Sequence, residues 1–317
     1  MFFDRLFKRR GRMPLPLGPA GFSRQSGRGE VDDSFLSRLR NVSLVSQRKL
    51  TSGLTGEHPS PRRANALEFA DYRSYTPGDD LRRVDWNAYL RLGQLLVKLA
   101  DAPERVTLHV LLDTSGSMAW GHPNKFDYAR RVAAGLAYVA LAHMDAANLM
   151  ILNGRECVRW SRQSSASPAA MVRAINSLEA GGTTNLDAAL SSFGALGSHR
   201  GVAVLISDLL SPLGYQSGLE RLSRMALRPV VIHLLSPEEL SPTLEGDLEL
   251  LDTETGDTVQ VSIDWGLLRR YHRWLYEWLE EIEAFCSRRG ITYLQVETTQ
   301  SIEQLLLDRL RREKVLR

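Results

Sequence analysis

The chain has 317 residues, 43% hydrophobic and 24% charged, which suits one large or two modest globular domains and excludes a disordered, collagenous or disulfide-stapled protein. No apolar run reaches the roughly 18 to 20 residues of a membrane-spanning helix, and the opening MFFDRLFKRR carries charges where a signal peptide is apolar, so a soluble, cytoplasmic protein is expected. Net charge is +3, yet residues 1–30 hold seven Lys and Arg against two acids, so the basicity belongs to the tail and the remainder is slightly acidic.

That tail, residues 1–30, is rich in Gly, Pro, Ser and Arg and reads as disordered. Phe2, Phe3, Leu6 and Phe7 beside Lys8, Arg9 and Arg10 give it a means of touching an anionic membrane surface, while no spacing in the chain supports nucleic-acid binding. Apolar residues at Phe35, Leu36, Leu39, Val42, Leu44 and Val45 predict a short helix within 31–50, followed by a loop and a polar, Arg-rich stretch. Runs at 95–99 and 106–112 read as strands, and Phe126, Ala129, Val132, Ala133, Leu136 and Ala140 predict a helix over 126–144. Strands at 149–152, 157–160, 202–206 and 230–235 then alternate with helices at 168–178, 186–196 and 219–225. Such alternation predicts an α/β fold, a doubly wound and mainly parallel sheet with helices on both faces. Two strands flanking Glu254, Thr255, Gly256 and Asp257 predict a hairpin insertion at about 245–264. Tyr271, Trp274, Leu275, Trp278, Ile282 and Phe285 recur at helical spacing and are expected to pack in the core, ahead of a strand at 292–296 and a Leu-rich terminal helix. Cys157 and Cys286 have no disulfide or zinc spacing and are expected to be reduced core thiols.

Chemistry concentrates in Asp113, Thr114, Ser115, Gly116, Ser117 and Met118, where an apolar strand ends and a helix follows. In an open parallel sheet the loops at the carboxyl ends of strands line the ligand crevice, so the loops Gly181 to Asn185 and Ser207 to Asp208 can join this one. The resulting donors, Asp113, Ser115, Ser117, Thr184 and Asp208, are all oxygen, which favours Mg²⁺, with Mn²⁺ or Ca²⁺ as alternatives, over zinc.

At these residues the chain resembles a von Willebrand factor type A domain with a metal-ion-dependent adhesion site. The resemblance implies that Ser115, Ser117 and Thr184 ligate the ion, that Asp113 and Asp208 act directly or through waters, and that Gly116, Met118, Thr183 and Asn185 lie at the partner contact. A second block contains Glu68, Arg73, Tyr75, Gly78, Asp79, Asp80, Arg82, Asp85 and Trp86, and is similar to the signature of domain-of-unknown-function family fifty-eight. Three regions follow: the tail 1–30, a family-specific region 31–92, and an A-type domain 93–317. The block's acids, arginines and aromatics predict a folded subdomain whose charges are paired.

A hydrolase, NTPase or dehydrogenase would require HExxH, Gly-x-Ser-x-Gly, a P-loop or Gly-x-Gly-x-x-Gly, and none is present in the sequence. His122, five residues beyond Ser117, offers a general base for a metal-dependent hydrolase, but a loop histidine beside Pro123 is expected to be merely solvated. The expectation is therefore a Mg²⁺-dependent protein-binding module rather than an enzyme, with a hydrolase or a peripheral membrane scaffold as alternatives. The family resemblance implies that its partner is a MoxR-type AAA+ ATPase, contacting the ion through an acidic side chain, in the maturation or assembly of protein complexes.

Overall fold

The computed structural model describes residues 43–44, 71–77, 79, 81, 84–99, 106–160, 167–183, 185–197, 200–251 and 258–316. The chain divides into two compact units, residues 46–105 and residues 1–45 together with 106–317. The tail and almost all of the helix expected within 31–50 lie outside the described residues.

In the smaller unit, strand β1 (Asp71–Ser74) pairs antiparallel with β2 (Leu96–Leu99), in the register Asp71 to Leu99 and Ser74 to Leu96. Between them, helix α1 (Trp86–Leu92) starts where the Asp85 carboxylate accepts the N–H groups of Asn87 and Ala88, and stops at Gly93, whose φ of 68° is left-handed. Asp79 likewise accepts the N–H and the hydroxyl of Thr76, closing a turn. The run at 95–99 therefore joins this unit, and the boundary expected at residue 92 falls inside it, because the partner of that run is β1. Both acids thus bond backbone groups close to them in sequence. Trp86 is exposed, and Tyr75 is half-buried. Glu68, Gly78, Asp80 and Arg82 lie outside the described residues, and Arg73 falls on β1.

The larger unit is built on a six-stranded sheet. Its strands are β3 (Thr107–Asp113), β4 (Ala146–Asn153), β5 (Glu156–Arg159), β6 (Gly201–Ser207), β7 (Leu227–Leu235) and β10 (Thr292–Glu297). The order is β10-β7-β6-β3-β4-β5, parallel throughout except for β5, which runs antiparallel to β4 at the edge. Helices α2 (Lys125–Ala142), α3 (Pro168–Asn176), α4 (Leu186–Ala195), α5 (Gln216–Arg224) and the single turn α6 (Pro237–Leu240) follow along the connections between these strands. The expected hairpin is β8 (Gly246–Leu251) with β9 (Thr258–Ile263), and the aromatic helix is α7 (Trp265–Arg288). After β10 the Leu-rich terminal segment is short, wide-turned over Gln304–Arg309 and α-helical at Leu310–Arg312.

Period-two alternation divides the core. Along β3, Leu108, Val110 and Leu112 join α2 and the terminal segment on one face, whereas Leu111 joins Leu190, Phe193, Leu219 and Phe285 on the other. Both faces of the central strands are thus covered, which explains their unbroken apolar runs. Cys157 and Cys286 are free, buried in the second cluster, and burial pushes both thiols up to about 12. Among the described residues no helix is long and apolar enough to cross a membrane.

Candidate functional site

Asp113 ends β3 and Ser207 ends β6, neighbouring parallel strands in which Leu112 lies beside Ile206. This register brings two sequence-distant loops together at the carboxyl edge of the sheet. The Ser207 hydroxyl donates to Asp113 Oδ2 at 2.6 Å, and the Ser115 N–H donates to Oδ1 at 2.9 Å. Ser115 and Ser117 place their hydroxyl oxygens 3.0 Å apart, and Ser117 lies close enough to the Asp208 carboxylate to help hold its acidity down. Asp113, Ser115, Ser117 and Asp208 therefore bring their oxygens together at one buried place.

The third loop docks against this set through backbone bonds. Gly116 N–H donates to Gly182 O at 2.9 Å, and Gly181 N–H to Thr114 O at 2.8 Å. Gly182 adopts a φ of +87° in this close approach, a conformation that costs glycine little. Thr184 lies outside the described residues; Thr183, next to it, is exposed. Asn185 caps α4 by accepting the Ala188 N–H at 3.0 Å. Met118 is wholly buried among core side chains, so the partner contact expected of it gives way to packing beneath the loop.

A cation from the protein itself enters the same network. Lys125, the first residue of α2, is fully buried, and its ammonium lies 2.7 Å from Asp208 Oδ2 and 2.6 Å from Glu239 Oε1. Glu239 belongs to α6, where Ser236 and Glu239 form a reciprocal capping box, and its backbone carbonyl accepts the Tyr271 hydroxyl from α7 at 2.7 Å. The aromatic stripe of α7 thus packs as expected, with Trp274 stacked on Trp278, and also braces the helix that carries Glu239. Behind Asp208, the ring of His233 lies 2.9 Å from the Asp208 carbonyl through Nε2 and 2.7 Å from the Tyr293 hydroxyl through Nδ1. A carbonyl only accepts, so Nε2 carries the proton and the tyrosine donates to Nδ1. His122 is exposed, and its N–H donates to Glu238 at 3.3 Å.

The electrostatics separate the two aspartates. Burial, reinforced by the Asp208 charge, raises Asp113 to about 6. Burial also works against the Asp208 charge, but the Lys125 ammonium outweighs it and holds Asp208 below its ordinary value. Lys125 is held above its own ordinary value because its two carboxylates overcome the cost of burial. Burial and Asp208 together keep Glu239 raised despite the lysine. Burial drives His233 down to about 4, so it is neutral near pH 7.

This donor chemistry fits a hard divalent ion. Two buried carboxylates repel each other across hydroxyls that can ligate, and a cation there relieves the repulsion. Among the described residues no group of three or more His, Cys, Asp or Glu side chains could hold a metal, so an ion at this edge depends on the serine hydroxyls.

Sequence reasoning missed Lys125, Glu239 and His233. A lysine opening a helix opposes the helix dipole, and Ser236-Pro237-Glu238-Glu239 has the capping-box pattern after a buried strand; both were available signals.

Comparison with known proteins bears on these residues. The family described as "Protein of unknown function DUF58" matches residues 71–277. The chain is 28% identical over 244 residues to the uncharacterized protein Rv1480 of Mycobacterium tuberculosis, covering 75% of this chain and 77% of the relative, and equally to Mb1516 of Mycobacterium bovis. Among solved structures, BatB from Bacteroides thetaiotaomicron aligns with 66% of this chain and 98% of its own, at 13% identity and a TM-score of 0.42. The VWA domain of SpRpn10 aligns with 65% and 95%, at 11% identity and a TM-score of 0.37.

Proposed function

The chain belongs to the DUF58 family of proteins of unknown function, and from that premise we propose that it is a divalent-cation-dependent protein-interaction module. The observation that carries this reading is the convergence of Asp113, Ser115, Ser117 and Asp208 at the carboxyl ends of β3 and β6. The A-type resemblance of the Asp-x-Ser-x-Ser loop supports the same reading and makes Mg²⁺ the ion of choice. Asp113, Ser115 and Ser117 would hold the ion, with Asp208 orienting Ser117 behind it. When bound, such an ion supplies a hard electrophilic centre able to accept a carboxylate from a partner protein.

The surrounding groups suit binding better than turnover. His233, buried in the same network, has both ring nitrogens engaged and is held neutral, which leaves it poorly placed to shuttle protons. The partner we propose, on the family resemblance, is a MoxR-type AAA+ ATPase that presents an acidic side chain, with the pair acting in assembly or maturation of other complexes.

Affinity capture from native lysate tests this reading, run with Mg²⁺, with EDTA and with Asp113→Ala. Recovery of an AAA+ ATPase only with Mg²⁺ and intact Asp113 is expected. Equal recovery in all three would move the interaction elsewhere on the molecule.

A further inference from the structure

Lysine at the first position of a helix faces the positive end of the helix dipole and gains nothing from it. Lys125 nevertheless occupies that position in α2 and is wholly buried. Its placement is explained by tertiary partners, Asp208 from the loop after β6 and Glu239 from α6 after β7. Glu239 is itself fixed from two sides, by the Ser236 N–H on its carboxylate at 2.7 Å and by Tyr271 on its carbonyl. Gly121 lets the approach to α2 pass close to the same loop, since a Cβ there would lie 2.6 Å from Ser236 Cβ. The ammonium is therefore clamped on the side of Asp208 that faces Glu239, while the Asp113 oxygens are held by Ser115 and Ser207.

We propose that Lys125 is the fixed counter-ion of the candidate metal centre, a positioning residue that holds Asp208 behind Ser117 and, balanced by Glu239, sets the charge the centre offers a divalent ion. The inference rests on Asp113, Ser115, Ser117 and Asp208 being the ion-binding set. With the three carboxylates Asp113, Asp208 and Glu239 ionised against one ammonium, the buried network carries a net charge that a single divalent ion balances. Removing the lysine makes the network more negative, and removing Glu239 makes it less so. The two changes therefore act on ion affinity in opposite directions, whereas damage to packing would lower it in both.

Titration calorimetry of the full chain with Mn²⁺ at pH 8, on the parent, Lys125→Met, Glu239→Gln and the double variant, tests the idea. Changing one unit charge this close to a divalent ion predicts Lys125→Met to bind Mn²⁺ at least about tenfold more tightly and Glu239→Gln at least about tenfold more weakly. The double variant, with the parent's charge, should return to within about threefold of it. A buried ion pair broken on one side is strongly destabilising, so the double variant covers the case in which Lys125→Met does not fold. The double variant against Glu239→Gln then isolates the lysine, and tighter binding by the double supports the proposal. If the parent binds Mn²⁺ and both single variants shift the same way, or neither shifts, Lys125 is not the counter-ion and the ion-binding reading stands. If the folded parent binds no Mn²⁺, the ion-binding reading falls and this inference falls with it.

Discussion

Asp113 and Asp208 carry the same carboxylate at the ends of neighbouring strands, yet their acidities move apart, Asp113 up to about 6 and Asp208 down. Both are buried, so burial cannot separate them. The separating agent is Lys125, which bonds Asp208 and leaves Asp113 facing a second negative charge. At His233 burial prevails over the nearby Asp208, whose charge and carbonyl favour the protonated ring. Its folded value is depressed to about 4 from an ordinary 6.5, so the fold favours the neutral ring; the associated stability is complete above about pH 6.5 and is lost as the pH falls toward 4. A shift of that size corresponds to at most about 3 kcal/mol. His233→Gln is expected to lose stability at pH 7, because the ring bonds both Asp208 O and Tyr293. Its urea midpoint should then fall less steeply than the parent's between pH 6.5 and 4. Equal slopes for the two proteins would show that the ring does not titrate in this window.

Helix α2 carries the counter-ion, and its start is set by Asn124, whose Oδ1 accepts the N–H groups of Phe126 at 2.9 Å and Asp127 at 3.1 Å while its amide donates to Ala119 O. Asn124→Ala is expected to destabilise the protein by about 1–2 kcal/mol, read as a lower urea midpoint with unchanged slope. Midpoints that coincide would mean the first turn is fixed by Lys125 alone. The same helix shows how far local pattern reaches. Its apolar spacing from Phe126 onward was legible because the helix is buried on the face its period sets, and the strands over 202–206 and 230–235 were legible as unbroken apolar runs because both their faces are buried. The Asp113, Ser115 and Ser117 loop was legible for a related reason: its donors are adjacent in sequence and follow a strand. The Lys125 pairing was not, since its partners lie 83 and 114 residues away and only the strand order brings them together. Nor was the β1–β2 ladder, whose first strand lies in a polar stretch without an apolar run.

At the scale of the molecule, every described member of the candidate ion-binding set belongs to the larger unit, and each comes from a strand end or the loop after it, brought together only when the six-stranded sheet has formed. An ion held there binds the folded form and has no assembled site on the unfolded chain, so its binding free energy adds to stability. At a free Mg²⁺ concentration about 100 times the dissociation constant, that linkage contributes ~2.7 kcal/mol. For a unit of this size each kcal/mol raises the melting temperature by about 2–4 °C, so Mg²⁺ should shift the larger unit's transition upward by about 5–10 °C relative to EDTA. Asp113→Ala should abolish that shift, because it removes the carboxylate that Ser115 and Ser207 hold in place at the end of β3. Differential scanning calorimetry with Mg²⁺ and with EDTA, on the parent and on Asp113→Ala, reads both quantities. An equal Mg²⁺ shift in the two proteins would place the ion outside the Asp113 loop, whereas a shift confined to the parent ties the stability of the sheet to the site at its carboxyl edge.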